Sequence, residues 1–345
     1  MAEAKSTEAK MPAVRAEPLR VLMVTGVYPT ERRPHSGTFI KSQVDSLIAA
    51  GVEVEIIHPE PGPRLRRYVW IITQIWKKAH SKRFDIVHGH YGQFCLFARL
   101  QWSVPVVASF LGDDLLGTPL GAGRYSKLHA LNARISRWLC KRVDAVIVKS
   151  AEMKRATGRE QAFVIPNGVD FELFRPMPRA EARAALGWDE DRYYVLFGNN
   201  PDIPRKGFTL ARAAVEHLCA KGIAVELVIG NGLPQTELLQ YMNASNALIL
   251  TSLSEGSPNI VKEAMACNIP VVATKVGDVV EIIGKTRGCS TCSRAPEEVA
   301  RGIEIAMQHS GPTTGRADIS HLERSVVAKQ VIAVYESVLQ KNRRI

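Results

Sequence analysis

Residues 251–263 read Thr-Ser-Leu-Ser-Glu-Gly-Ser-Pro-Asn-Ile-Val-Lys-Glu and set two carboxylates, Glu255 and Glu263, eight positions apart around a Gly-Ser-Pro turn. A strand ending near Thr251 hands over to Gly256, whose missing side chain lets the backbone turn closely. Pro258 suits the first position of a helix, where its absent N–H costs nothing, and leaves the amides of Asn259 and Ile260 free. Such a helix start attracts phosphate through unpaired N–H groups and the positive end of the helix dipole. Glu263 falls about one and a half turns into that helix, within reach of neutral hydroxyls such as those of a ribose. Glu255, on the turn, is placed for a second hydroxylated group. A plainer reading of the same residues has Glu255 capping the helix and Glu263 as solvated surface.

The elements around this stretch alternate. Arg20–Thr25 is a β-rich run; Phe39, Ile40, Val44, Leu47 and Ile48 follow at helical spacing, closed by Gly51. Strand runs recur at 52–57, 85–88, 104–109 and 144–148, with helical stretches near 66–82, 93–101 and 124–141. The pattern breaks at Val164-Ile-Pro-Asn-Gly-Val-Asp170, a turn signal, and 171–190 reads as irregular and charged. It then restarts, with strands at 193–197, 224–229, 247–251 and 270–274 and helices at 207–221, 234–242 and 258–267. Apolar strands alternating with amphipathic helices indicate parallel sheets covered on both faces. Two such sheets on either side of a hinge create a cleft, because ligands bind beyond the carboxyl ends of parallel strands.

Composition agrees with two domains: 345 residues, 46% of them hydrophobic, are enough for two ordinary cores. The start, 1–17, mixes acids and bases without the apolar run of a signal peptide and reads as a disordered extension. The expected divisions are 18–168, 169–320 and a packing helix over 321–345. No apolar run approaches the roughly 20 residues of a membrane span, so a cytoplasmic protein, peripheral on the inner membrane face, is expected. Cys289 and Cys292 form a lone C-x-x-C without a second pair, so free thiols are expected rather than a metal site. The net charge of +11 favours an anionic partner: nucleotide, nucleic acid or acidic membrane.

The stretch at 255–263 resembles the E-x7-E signature of the retaining glycosyltransferases of family four, and the likeness extends over most of 19–342. It includes "VLMVTGVYPT", "SGTFIKSQVDSLIAAG", "FDIVHGHYG", "VPVVASFLGDD", "VIPNGVD", "PRKG" and "PVVATKVGDVVEII". The resemblance implies the GT-B fold, two facing Rossmann-like domains with a nucleotide-sugar donor on the C-terminal one, as in bacterial capsular or teichuronic-acid-type polysaccharide assembly. It implies that Glu263 binds the ribose, that Glu255 lies by the donor sugar, and that the backbone of Gly256, Ser257, Pro258, Asn259 and Ile260 faces sugar and phosphates. Lys206 matches the lysine that neutralises the diphosphate leaving group; Arg205 is a secondary candidate. Ser36 and Gly37 match a glycine loop on the acceptor side. The implied enzyme is a metal-independent hexosyltransferase with no cofactor beyond its nucleotide-sugar co-substrate.

Two departures bear on the cleft. Where the family often has Gly-Arg, this chain has Gly198-Asn199, so a cation is missing; where it often has histidine, this chain has Leu111, followed by Gly112-Asp113-Asp114. Asp113 and Asp114 either contact substrate or cap a loop. Asn268 stands where a glycine is usual and reads as a helix C-cap.

Residues 61–84 hold seven Arg or Lys and no acid, and 121–142 hold six and no acid. With Trp70, Ile71, Ile75 and Trp76 among the bases, the segment 64–83 reads as a helix for an anionic bilayer or as an ordinary packed helix with a solvated face. A lipid-linked glycan acceptor suits the first. Nucleic acid is not expected, for want of a binding module. The alternatives to glycosyl transfer are a nucleotide-sugar 2-epimerase or glycan phosphorylase on the same scaffold, and a non-catalytic nucleotide-sugar binder.

Overall fold

The computed structural model describes residues 17–343 except Pro61, Lys82, Ala122, Gly123 and Ser126; all but the last residue of the expected 1–17 extension lies outside the described residues. The N-terminal half runs β1 (Arg20–Val24), α1 (Thr38–Ala49), β2 (Glu53–Ile57), α2 (Arg64–His80), β3 (Ile86–His90), α3 (Gly92–Ala98) and β4 (Val106–Ser109). It continues with α4 (Asp113–Leu116), a small hairpin β5 (Pro119–Gly121) and β6 (Arg124–Tyr125), α5 (Lys127–Leu139), β7 (Ala145–Val148), α6 (Ala151–Thr157) and β8 (Phe163–Val164). Its sheet has the order β2-β1-β3-β4-β7-β8, and every pairing is parallel. The inner strands β3, β4 and β7 bury both faces, which is why β4 and β7 read as apolar runs rather than as alternation, while the edge strands β2 and β8 are partly exposed.

The C-terminal half runs α7 (Arg179–Leu186), β9 (Tyr193–Phe197), α8 (Phe208–Ala220), β10 (Val225–Ile229), α9 (Gln235–Ala244), β11 (Ala247–Leu250) and α10 (Asn259–Ala266). Then come β12 (Val271–Thr274), α11 (Val279–Ile283), β13 (Ser290–Cys292), α12 (Pro296–Gln308), α13 (Gly315–Asp318) and α14 (Arg324–Asn342). Its parallel sheet has the order β10-β9-β11-β12-β13. The expected architecture of two Rossmann-like sheets is therefore present.

The last helix does not stay with the second sheet. Val327, Val331, Val334, Tyr335 and Val338 on α14 join α1 in the core over the first sheet, and the Tyr335 hydroxyl lies 2.6 Å from His88 Nδ1. The chain thus crosses between the domains twice, near Val169 and near Glu323. The two crossings are fastened where they pass: Val169 bridges Glu323, and Arg324 pairs with Asp170 and Glu172.

The segment 171–190, expected to be irregular, contains α7. Arg183 explains the error: on a short helix rich in charge, it is buried and donates to the carbonyls of Ala244 and Glu190 and to Asn246 Oδ1. A buried guanidinium that caps other elements looks, in sequence, like solvated surface. Asn268 does close α10, with φ +58, and its side chain accepts from Arg316 N.

Candidate active site

In each sheet the strand order reverses direction beside the first strand of its half, and the crevice above that point is where open α/β sheets bind ligands. Here the two crevices face each other. A cavity of about 460 Å³ lies between them. The C-terminal side contributes Gly198 and Asn199 after β9, Gly230–Leu233 after β10, and Glu255–Ile260 with Glu263 after β11. The N-terminal side contributes His35, Thr38 and Phe39 after β1, and Leu111 after β4.

Pro258 is the residue that precedes α10 rather than its first helical position, and no side chain caps the amides that follow it. The uncapped helix start and Glu263 open on the same cavity. Burial pushes the Glu263 carboxyl up to about 7, with Lys262 beside it pulling the other way. Glu263 is half-buried and faces the cavity rather than the outer surface of the helix. Lys262 itself is fully buried, and its Nζ donates to Asn167 O at 2.8 Å and Ser257 Oγ at 3.1 Å. Burial lowers Lys262 to about 8, opposed by the attraction of Asp278, which is itself pushed up by burial to about 6. Asn167 also donates from Nδ2 to Asn259 Oδ1 at 3.4 Å. One buried ammonium thus ties the interdomain crossing to the loop ahead of α10.

Glu255 does not cap α10 with its side chain. Its Oε1 accepts from Lys206 Nζ at 2.6 Å and from Ser252 Oγ at 2.7 Å, and Arg205 lies 3.9 Å from Oε2. Lys206 reaches this position because Gly207, at φ +74, turns the chain against Thr251 O, where a side chain would collide. Gly256 has a second constraint. A Cβ there would stand 2.3 Å from Leu111 O, so the loop after β11 touches the backbone of the opposite domain.

Asp114 corrects the expectation of a residue on the cleft wall. It is buried, and its carboxylate accepts from the backbone N–H groups of Gly92, Leu111 and Gly112. Burial pushes its carboxyl up to about 6, and the hydrogen bonds from Gly112 and Leu111 oppose that shift. Of the two roles left open, Asp114 takes the loop-holding one: it fixes the strand-end loop that meets Gly256. Asp113 differs. It lines a small recess of about 70 Å³ with Arg205, Ser254 and Glu255, and accepts from Thr118 Oγ1 at 3.3 Å. Ser36 and Gly37 immediately precede α1, with Gly37 at φ +72, while their neighbours His35 and Thr38 line the cavity.

Sequence reasoning did not anticipate His35, Asn167, Lys262 or Asp278. Only proximity to the recognised motif marked Lys262. Asn199, read as a lost cation, is a cavity residue whose buried Nδ2 has no protein partner among the described residues.

Two family models match: Glycosyltransferase Family 4 over residues 20–173 and Glycosyl transferases group 1 over 194–309. A Bacillus subtilis protein named as the teichuronic acid biosynthesis glycosyltransferase TuaC is 22% identical over 353 residues, covering 83% of this chain and 88% of its own. Among solved structures, the sucrose-phosphate synthase of Thermosynechococcus elongatus superposes with TM-score 0.74 at 18% identity, covering 94% of this chain and all (100%) of that one. Anabaena HepE, solved in complex with UDP and glucose, superposes with TM-score 0.63 at 17% identity, covering 95% of this chain and 100% of its own. With one model on each sheet and the facing-domain fold shared with these structures, the chain belongs to the family-four-like glycosyltransferases of the GT-B fold.

Proposed function

We propose that this glycosyltransferase moves a sugar from a nucleoside-diphosphate sugar to a hydroxyl of a lipid-linked glycan, with retention of configuration, in cell-surface polysaccharide assembly. The observation that carries the reading is the convergence of three features on one cavity: the uncapped start of α10, Glu263 and Lys206. The UDP bound by Anabaena HepE and the teichuronic acid named for the Bacillus relative support a nucleotide donor and a polysaccharide product.

The proposed roles follow from charge and position. The diphosphate rests on the amides at the start of α10, and Glu263 accepts hydrogen bonds from the ribose hydroxyls. Lys206 stands ready at the leaving group, its ammonium held by Glu255, whose carboxylate also accepts from Ser252. As the glycosidic bond breaks, negative charge builds on the diphosphate, and a fixed cation stabilises that state more than the ground state. The acceptor hydroxyl attacks from the face the phosphate leaves, and a phosphate oxygen takes its proton. The protein then supplies position and charge rather than a base or a covalent nucleophile. Lys206 and Arg205 carry the neutralising charge, so turnover is expected to survive a chelator.

The test is transfer from a panel of nucleotide sugars to a lipid-linked acceptor extract, with the anomeric configuration of the product read by NMR. Retained configuration and dependence on Lys206 are expected. Inversion would overturn the mechanism. Conversion of the donor sugar with no acceptor present would identify a 2-epimerase instead.

A further inference from the structure

Three helices, α2, α3 and α5, cover one face of the first sheet, and none of them contains an Asp or Glu. Ile71 and Ile75 from α2, Phe94 and Phe97 from α3, and Leu139 from α5 share one core, with α3 lying between the other two. On α5 the buried side is modest: Ala133, Ser136 and Leu139. Its larger apolar residues, Leu128, Leu131, Ile135 and Trp138, are exposed. Steps of three and four residues put them in a single stripe along the helix, turned away from the sheet.

The stripe has neighbours. Leu65, Val69, Trp70 and Trp76 are exposed on α2, and Leu100 and Trp102 follow α3, with Trp102 75% exposed. Four of the five tryptophans of the chain therefore stand on this face; the fifth, Trp188, stacks on Tyr194 in the other domain. Basic residues are interleaved with them. The Arg142 guanidinium lies 3.9 Å over the Trp138 ring, and Arg99 lies 6.0 Å over Trp102. Arg134 and Arg137 flank the stripe of α5, and Arg64, Arg66 and Lys77 are exposed on α2.

We infer that this face, with α5 as well as α2, docks on an anionic lipid bilayer. Exposed apolar area of this kind needs a cover. Tryptophan with arginine and lysine is the composition of a membrane interface, where the rings sit at headgroup level and the bases meet acidic lipid. A second copy of the chain is a poor cover. A two-fold contact brings a patch against itself, and here that sets the bases of three acid-free helices against one another, with Glu55 of β2 already taken by Lys78.

The position also serves the reaction. Helix α5 packs on α4, whose first residue, Asp113, lines the recess beside Glu255. A bilayer on this face brings lipid headgroups to the mouth of the cleft. The inference deepens the lipid-linked acceptor reading and rests on it for its purpose.

The experiment is flotation of the full chain with vesicles of phosphatidylcholine, with and without one-third phosphatidylglycerol, alongside quenching of tryptophan fluorescence by lipids brominated near the headgroup. Expected is at least ten-fold stronger partitioning onto the anionic vesicles, weakened by salt, with quenching. The double variant Leu131→Glu/Trp138→Glu should lose at least ten-fold in partitioning. A control on the opposite face of the domain, Ile48→Glu/Val326→Glu, should not. Partitioning that is absent, or the same in both variants, or without quenching, would overturn the inference. So would a wild-type dimer in sedimentation equilibrium that Leu131→Glu/Trp138→Glu dissociates. Thermal shift of the wild type by nucleoside diphosphate separates the two claims: no shift, with vesicle binding intact, would sink the donor site and leave the membrane face standing.

Discussion

The two halves of the molecule are built alike inside and unlike outside. Both are parallel sheets with buried apolar strands and helices on each face. The exposed helices of the C-terminal half carry acids in ion pairs, as in Arg212 with Glu216 on α8, Arg301 with Glu298 on α12, and Lys221 with Glu304 between them. Helices α2, α3 and α5 of the N-terminal half have none, and expose tryptophan and leucine instead. Folding asks the same of both surfaces, so the difference answers to something outside the chain. Inside, both halves bury charge: Asp114 and Lys149 in the N-terminal half, and Lys262 and Asp278, with Glu263 beside them at the cavity, in the C-terminal half.

The buried charge of the C-terminal half centres on Lys262. Removing one partner of a buried, hydrogen-bonded charge leaves the rest uncompensated, at a cost of about 3–5 kcal/mol. Lys262→Met is expected to lose that much in urea unfolding, since Asn167 O, Ser257 Oγ and Asp278 all lose their cation. Lys262→Met/Asp278→Asn should recover part of it. A loss below roughly 0.5 kcal/mol, the range of ordinary surface changes, would mean that the interior of the C-terminal half is not organised around this group.

Next in size is Lys206→Ala. Loss of a preorganised charge at a developing anion costs turnover about 10²–10³-fold, and donor affinity should change much less. An equal fall in both would make Lys206 a ground-state binder.

The pH dependence is smaller. Because burial pushes the Glu263 carboxyl up to about 7, it is protonated below that value and offers fewer acceptors to a ribose. Donor affinity is expected to rise a few-fold, on the order of one hydrogen bond, as pH passes upward through 7, and Glu263→Gln should flatten the curve. The sign for stability is opposite. A raised carboxyl pKa means that the folded state holds the proton more tightly, so this group costs stability as pH rises from the ordinary carboxylate range through about 7.

The smallest effect belongs to the exterior of the N-terminal half. Leu131→Glu/Trp138→Glu should leave unfolding free energy within about 0.5 kcal/mol of wild type, since both residues are exposed. A large loss would show that the stripe is part of the fold after all.

The architecture was legible because parallel strands must be apolar throughout and their helices amphipathic; the turn at 255–263 stood out only through the family resemblance, because Gly, Pro and two acids at that spacing read equally well as a capped helix start with a solvated face. What stayed hidden depends on contacts distant in sequence. Nothing near Lys262 announces that Asn167 O lies 2.8 Å away. Asp114 looked like an acid at a loop, and only the fold turns it inward to three backbone amides. Helix α14 reads as a packing helix, but not as one that returns to the first sheet. Periodicity in α5 predicts a stripe and cannot tell whether it faces the sheet or the exterior.

The measurement closest to the central claim is calorimetric titration of nucleoside diphosphates into wild type and Glu263→Ala. A carboxylate accepting from ribose hydroxyls contributes about 1.5–3 kcal/mol, so the variant should bind its preferred nucleotide roughly ten- to a hundred-fold more weakly while keeping its fold. Equal affinity in the two proteins would place the nucleotide away from the start of α10 and contradict the account.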